Sequence, residues 1–305
     1  MKLTRRRFNE LVGRRFNELV VGTLVAPVLQ AAEDTNKQSL VGEVGVTTSS
    51  FSGHLVKDAQ LAGFTLLELP QILREELDMR VIDLNTSSLG SQEPDYLDQC
   101  RAAAEKAGCV FTNLKMNQRN VDMNHSDPMI RARALAIYKQ SIDTAARLGA
   151  RWARPLPQAT RPDMEIHIAA YRELADYAAT RDVTMLVENY GWMQGNPRSV
   201  VELVTAIGKN VFACPDIGNW NTNEIRYEAL KETFPDAVSC DFKARELGPD
   251  GEHRKYDLRR CYDIGRQAGF KGPWCLEHAH RDRKTLFRDL GLLRDQLRQW
   301  MRSSE

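Results

Sequence analysis

Four apolar segments in the second half of the sequence each end in a carboxylate, and this pattern constrains the fold most. The segments are short continuous apolar runs, as expected for strands of a parallel sheet that helices cover on both faces. Acidic side chains at the ends of successive parallel strands meet at one end of a barrel. In chain order the four residues are Glu188, Asp216, Asp241 and Glu277.

Eight strand-like segments alternate with amphipathic segments from residue 40 onwards. Glycine follows several of the amphipathic segments, and glycine is a common helix stop signal. Eight βα units close a barrel of about 250 residues. The sequence therefore predicts an α/β protein with a single (β/α)8 TIM barrel over residues 40–302. Strands are expected near residues 43–48, 79–85, 109–115, 151–155, 183–189, 211–217, 237–243 and 273–278.

Two segments between the expected strands are less regular. Residues 64–70 fit a strand by composition, but together with residues 71–77 they favour a helix with Pro70 in its first turns. Residues 245–256 form a long polar stretch after the seventh strand. A loop of this kind on the active face of a barrel is a candidate lid.

The first 32 residues have the pattern of an export signal. Two arginines precede Phe8, an apolar stretch covers residues 19–26, and small residues follow at positions 31 and 32. We predict a twin-arginine signal over residues 1–32, a flexible linker over 33–39 and a periplasmic or otherwise exported protein. The apolar stretch is too short for a membrane span. The segment RRFNELV occurs twice, which fits either a duplicated signal or an alternative start.

Charge and cysteine placement narrow the range of functions. The net charge is +1, but removing the six basic and two acidic residues of the leader leaves 36 basic and 39 acidic residues. A slightly acidic protein is a poor partner for nucleic acid, because phosphate contacts supply most non-specific affinity. The six cysteines lie mostly within expected strands and helices, which favours buried free thiols over disulfides. A monomer and a homo-oligomer both remain compatible with this composition.

The four carboxylates predict a divalent metal site. If the strand ends point inward, Glu188, Asp216, Asp241 and Glu277 converge within one coordination sphere and repel one another unless a cation is present. An oxygen-rich donor set favours Mn²⁺ or Mg²⁺. Lys243 shares a strand face with Asp241 and offers the alternative, a network of structural ion pairs at the barrel rim.

Other polar and aromatic side chains near the strand ends are candidates for substrate binding. Lys115 and Arg154 end the third and fourth strands, where a cation either binds substrate oxygens or balances the acids. The remaining candidates carry amide, indole or imidazole groups suited to sugar hydroxyls and rings. They are Asn189, Asn219, Trp220, His54 and His280.

Four segments resemble the xylose isomerase-like barrels, a family that includes sugar phosphate isomerases and epimerases. They read LVENYG at 186–191, PDIGNW at 215–220, DFKA at 241–244 and LEH at 276–278. The resemblance spans nearly all of residues 40–300. It implies a (β/α)8 barrel that binds Mn²⁺, Mg²⁺ or a similar ion through Glu188, Asp216 and Glu277. In epimerases of this type the two glutamates also flank the reacting carbon as acid and base.

Two residues depart from the pattern of that family. Asp241 stands where the family usually has a histidine ligand on the seventh strand. Asn219 stands where a histidine often follows the aspartate of the sixth strand. Together with the leader, these departures suggest an exported subgroup whose chemistry need not be isomerisation.

The resemblance and the acidic cluster together predict a metal-dependent isomerase or epimerase that acts on a free sugar or keto-sugar. The ion would hold a carbonyl and an adjacent hydroxyl, while Glu188 or Glu277 removes the neighbouring proton and Lys243 or a loop histidine assists. Two alternatives stay open. One is a lyase or hydratase acting on a 3-keto-glycoside, which shares the deprotonation step, and the other is a sugar-binding barrel without catalysis. The expected partner is in each case a small carbohydrate.

Overall fold

The computed structural model describes residues 39–118, 120–248 and 250–303. Within them, eight parallel strands alternate with eight α-helices, and the strands form one curled sheet. The predicted (β/α)8 TIM barrel is confirmed. The predicted signal at 1–32 and nearly all of the predicted linker at 33–39 lie outside the described residues, so both stay predictions.

All eight strands overlap the segments in which they were expected, and each helix follows its strand along the chain. The strands are β1 (Val44–Thr47), β2 (Val81–Asn85), β3 (Val110–Met116), β4 (Trp152–Pro155), β5 (Thr184–Val187), β6 (Val211–Ala213), β7 (Cys240–Lys243) and β8 (Trp274–Glu277). The helices are α1 (Leu69–Leu77), α2 (Pro94–Lys106), α3 (Pro128–Arg147), α4 (Met164–Ala179), α5 (Ser199–Ile207), α6 (Asn223–Thr233), α7 (Leu258–Gln267) and α8 (Arg283–Arg302).

Local sequence signals account for where most of the helices begin. Five helices begin after a side chain that accepts a hydrogen bond from a first-turn N–H, which satisfies an otherwise unpaired donor. These residues are Asp127, Asp163, Thr222, Asp257 and Asp282. Pro70 lies in the first turn of α1, so the helix expected in 64–77 is confirmed for its second part. No described helix is both long and apolar enough to cross a bilayer.

The barrel closes between β6 and β7 through isolated backbone bridges. In this seam, Ala213 pairs with Ala237 and Asp216 pairs with Asp241. The N–H of Asp241 donates to the Pro215 carbonyl over 2.9 Å, and the Asp241 carbonyl accepts from the N–H of Ile217 over 3.0 Å. Proline has no N–H to donate, which helps to explain why β6 ends early. The seam therefore brings two of the four predicted carboxylates side by side.

Side chains inside the barrel change from apolar to charged along the strands. Leu40, Val81 and Cys275 form a small buried cluster at the end where the strands begin. Asp83 lies two residues beyond Val81 on the same face of β2 and is fully buried, as is Asp241 on β7. All six cysteines are buried and free, as predicted. The charged end of the interior is the end where chemistry is expected in such a barrel.

Gly265 in α7 should be required for packing of this helix against the barrel. A Cβ atom there would lie 2.6 Å from Trp274 and 2.8 Å from Phe234. Gly265→Ala should therefore destabilise the protein by about 1–3 kcal/mol through overpacking. Gly291→Ala in α8 is the matched control, because its Cβ would meet nothing within 4 Å. The control should stabilise by about 0.5–1 kcal/mol, and urea unfolding that gave equal effects for both variants would contradict this packing argument.

Candidate active site

A cavity of about 270 Å³ opens at the carboxyl ends of the strands. Glu188, Asp216 and Glu277 line it, whereas Asp241 lies buried outside the lining with 1% of its surface exposed. The structure thus brings the four predicted carboxylates to one end of the barrel. Each of them has a basic side chain as a partner, so the ion-pair network expected as an alternative is also present.

Glu188 follows β5 and pairs with the guanidinium of Arg154 from β4. Its Oε1 accepts a hydrogen bond from Nδ2 of Asn219 over 3.1 Å. Burial raises the pKa of Glu188 to about 7, although Arg154 opposes the shift. Arg154 is held in turn by Asn117, whose Oδ1 accepts from the guanidinium over 2.9 Å. Glu188 is therefore a buried carboxyl group that can gain or lose its proton near neutral pH.

Asp216 is fixed at both its backbone and its side chain. The Asn189 amide donates to the Asp216 carbonyl over 2.9 Å and accepts from its N–H over 2.8 Å. Oδ1 accepts from the N–H of Gly218 over 2.7 Å, and Oδ2 accepts from Lys243 Nζ over 2.8 Å. Burial raises the pKa of Asp216 to about 6 even beside Lys243. Both carboxylate oxygens therefore have fixed partners.

Asp241 forms the deepest ion pair of the site, with Lys115 from β3. Lys115 Nζ lies 2.5 Å from Asp241 Oδ1 and 3.9 Å from Asp83 Oδ2, and it donates to Thr47 Oγ1 over 3.2 Å. Burial opposes the charge of Lys115, but the two aspartates outweigh it and hold the pKa of the lysine well above its usual value. The other oxygen of Asp241, Oδ2, is buried without a hydrogen-bond partner.

Glu277 ends β8 between two cations. Its Oε1 lies 3.2 Å from Lys243 Nζ and 2.6 Å from a guanidinium nitrogen of Arg245. Burial would raise the pKa of Glu277, but Lys243, Lys115 and Arg245 hold it below its usual value. Glu277 is thus kept ionised, in contrast to Glu188.

Three of the four carboxylates are arranged so that they could hold a metal ion. Oxygen atoms of Glu188, Asp216 and Asp241 lie within 4.8 Å of one another. Carboxylate oxygens suit hard divalent cations, and the unpartnered Oδ2 of Asp241 is a buried acceptor that a cation would satisfy. The donor set therefore fits a divalent ion. Glu277, the fourth predicted ligand, is engaged by Lys243 and Arg245 instead.

The predicted substrate-binding residues divide into two groups by position. Lys115, Arg154 and Asn219 line the cavity. The other four lie outside its lining, and a role in substrate binding stays a prediction for all seven. Asn189 braces Asp216, Trp220 is buried, and Nε2 of His54 donates to the His280 carbonyl over 2.9 Å.

Several polar residues of the site were missed from the sequence. Asn85 and Asn117 line the cavity and are joined by a 2.7 Å hydrogen bond, and Asp83 lies near Lys115. Asp83 and Asn85 are two residues apart on β2 and so share one face of the strand. Strand periodicity was therefore a usable signal for both. Arg245 opens the 245–256 loop predicted as a lid and also lines the cavity. Lid motion itself stays a prediction.

The profile of the family described as "Xylose isomerase-like TIM barrel" matches residues 56–304. The chain belongs to this family. The predicted family is therefore confirmed, whereas membership of an exported subgroup stays a prediction. A comparison with curated proteins found no match.

Solved structures with the same barrel include enzymes that act on sugars. D-psicose 3-epimerase from Clostridium cellulolyticum H10, solved with D-tagatose, has a TM-score of 0.69 and 14% identity over 85% of this chain and 98% of its own. A xylose isomerase-like protein from Mycobacterium smegmatis in complex with magnesium has a TM-score of 0.63 and 16% identity, covering 88% and 98%. The probable 3-DHS dehydratase AsbF from Bacillus anthracis has a TM-score of 0.61 and 14% identity, covering 82% and 98%. At these identities the likeness shows the fold.

Removing the ammonium of Lys115 should destabilise the whole barrel. Lys115→Met leaves Asp241 buried without a balancing charge, and breaking a buried ion pair in this way costs about 3–5 kcal/mol. Lys139→Met is the control, because Lys139 pairs with Glu173 at the surface and should change stability by less than about 1 kcal/mol. Chemical unfolding measures both free energies, and a Lys115→Met variant as stable as the control would contradict this assignment.

The ion-free protein should lose stability as the pH rises from about 5 to about 8. Burial raises the pKa of Asp83 and Asp216 to about 6 and that of Glu188 to about 7. In this range the folded state therefore holds more protons than the unfolded state, whose carboxyls titrate near pH 4, and stability falls with increasing pH. Calorimetry of protein treated with EDTA should show this slope, and Glu188→Gln should make it shallower. A melting temperature that rises over the same range would contradict the sign.

Proposed function

We propose that this protein is an enzyme that removes a proton next to the carbonyl group of a free sugar or keto-sugar and returns it, as an isomerase or epimerase does. The observation that carries this proposal is the placement of two glutamates around one cavity. Glu188 and Glu277 line it from β5 and β8, which are not neighbours in the sheet. A substrate carbon between them would meet one carboxyl group on each side.

The two glutamates have different surroundings, as an acid and a base should. Glu188 meets the guanidinium of Arg154 and the amide of Asn219. Glu277 meets two cations, Lys243 and Arg245, which favour its ionised form. In our proposal Glu277 takes the proton from carbon, so that a C–H bond breaks and an O–H bond forms. The electron pair of that C–H bond moves onto the carbonyl oxygen. It returns to carbon when Glu188 delivers a proton to the other face, from the carboxyl oxygen that a bound ion would leave free, and the configuration changes.

Cationic and amide groups around the cavity supply the remaining binding functions. Lys115, Arg154 and Lys243 line the cavity and can donate hydrogen bonds to sugar hydroxyls or to an oxygen that gains negative charge. We further propose that Glu188, Asp216 and Asp241 hold Mg²⁺ or Mn²⁺. When bound, such an ion supplies a Lewis acid that polarises a carbonyl. The magnesium-bound barrel from Mycobacterium smegmatis supports this choice.

A second candidate is a carbon–oxygen lyase acting on a keto-sugar derivative such as a 3-keto-glycoside. Proton removal beside the carbonyl is the same, but the neighbouring C–O bond then breaks and an alcohol or water leaves. The similar fold of a probable 3-DHS dehydratase favours keeping this candidate. The twin-arginine pattern at the N-terminus supports a further proposal, that either reaction takes place outside the cytoplasm.

The reaction can be tested by incubating the purified protein with ketohexoses and ketopentoses in D₂O with Mg²⁺ or Mn²⁺. We expect proton NMR to show deuterium at the carbon next to the carbonyl and a new epimer or isomer. Glu188→Gln and Glu277→Gln should each lower the rate by about 10²–10⁴-fold, the usual contribution of a general acid or base. Lys139→Met, which changes a surface pair, should leave the rate unchanged.

A 3-keto-glycoside assayed in parallel separates the two candidates. Release of the alcohol with no interconversion of free sugars would favour the lyase. If neither reaction occurs but calorimetry shows that a sugar binds, both enzymatic proposals are contradicted. The protein would then be a sugar-binding barrel without catalysis.

A further inference from the structure

We propose that the ammonium group of Lys243 is a built-in cation of this site, which shares the carboxylate cluster with a divalent ion and restricts that ion to Glu188, Asp216 and Asp241. The inference deepens the proposed function and rests on its divalent ion. It also assigns Glu277 to the substrate and to Lys243, and not to the ion.

The contacts of Lys243 are those of a bound cation. Its Nζ lies 2.8 Å from Asp216 Oδ2, 2.7 Å from Asn219 Oδ1 and 3.2 Å from Glu277 Oε1. An ammonium group has three N–H donors, and these three oxygens can satisfy all of them. Only 18% of the Lys243 side chain is exposed. The amine is therefore enclosed by acceptors from the ends of two strands, β6 and β8, and does not extend into solvent.

The surrounding chain leaves room for this side chain. A Cβ atom at Gly218 would lie 2.5 Å from Cδ of Lys243 and 3.0 Å from its Cβ. The Tyr256 hydroxyl donates to the Lys243 carbonyl over 2.6 Å, which anchors the backbone at the end of β7. The amide of Asn219 has its oxygen directed at Lys243 and its nitrogen at Glu188. Gly218, Asn219 and Tyr256 thus fit an inward-pointing lysine.

This placement divides the carboxylates between two cations. Glu277 is held by Lys243 and Arg245 and does not belong to the group of oxygens within 4.8 Å. Asp216 belongs to both, because its Oδ2 accepts from Lys243 and its carboxylate is also one of the three possible ligands. A divalent ion must therefore compete with Lys243 for Asp216. Glu277 keeps its carboxylate available for proton transfer.

Binding of Mn²⁺ to the full-length, EDTA-treated protein tests which carboxylates hold the ion. Isothermal titration calorimetry should give Glu277→Gln an affinity within about threefold of the wild type, whereas Asp241→Asn should lose about tenfold or more. A loss for Glu277→Gln as large as that for Asp241→Asn would overturn the proposal, because Glu277 would then be a ligand. This arm leaves the Lys243 side chain in place.

The second arm removes the competing ammonium. Lys243→Met should bind Mn²⁺ about tenfold more tightly than the wild type, because Asp216 is no longer shared, while Lys139→Met should bind as the wild type does. Unchanged or weaker binding by a Lys243→Met protein with a native circular dichroism spectrum would overturn the proposal. So would a lack of Mn²⁺ binding in both proteins. Deuterium exchange into sugars, measured with and without EDTA, tests the proposed reaction independently of these affinities.

Discussion

The structure depends on the pairing of buried carboxylates with buried cations at one end of the barrel. A charge without a partner in this environment costs several kcal/mol, and neighbouring carboxylates raise the cost further. Lys115 balances Asp241, Arg154 balances Glu188, and Lys243 lies between Asp216 and Glu277. Arg154–Glu188 and Lys243–Glu277 join neighbouring strands. Lys115–Asp241 spans the interior and Lys243–Asp216 spans the seam between β6 and β7, so these two pairs require a closed barrel. Closure of the barrel is therefore needed to complete the charged site.

Hydrogen bonds from neutral amide groups hold the charged side chains in position. The amide of Asn189 holds both backbone polar groups of Asp216, and the N–H of Gly218 holds one carboxylate oxygen. Arg154 is oriented through Asn117 and then Asn85. Neutral amides therefore fix the orientation of Asp216 and Arg154, which limits rearrangement when a substrate or an ion enters.

The fold and the carboxylates were predictable from the sequence because both follow from strand periodicity. Apolar runs ending in Glu188 and Glu277 show which residues reach the end of the barrel. The pairing of the charges was not predictable, since Lys115 and Asp241 are 126 residues apart and the lysine could have served any nearby acid. His54 and His280 lie on loops, where no periodicity tells which way a side chain points. Strand periodicity places Asp83 and Asn85 on one face of β2, but it does not show that Asp83 would lie near Lys115 of β3.

The seam between β6 and β7 has a mechanical consequence. Only two isolated bridges join the segments around β6 and β7, whereas β7 and β8 share a continuous ladder of hydrogen bonds. Local opening starts where the fewest backbone hydrogen bonds must break. Opening of the barrel should therefore be concentrated beside Asp216 and Asp241. A divalent ion held by both aspartates would crosslink the two sides of this seam. Binding of the ion would then reduce local opening at the seam as well as complete the site for catalysis.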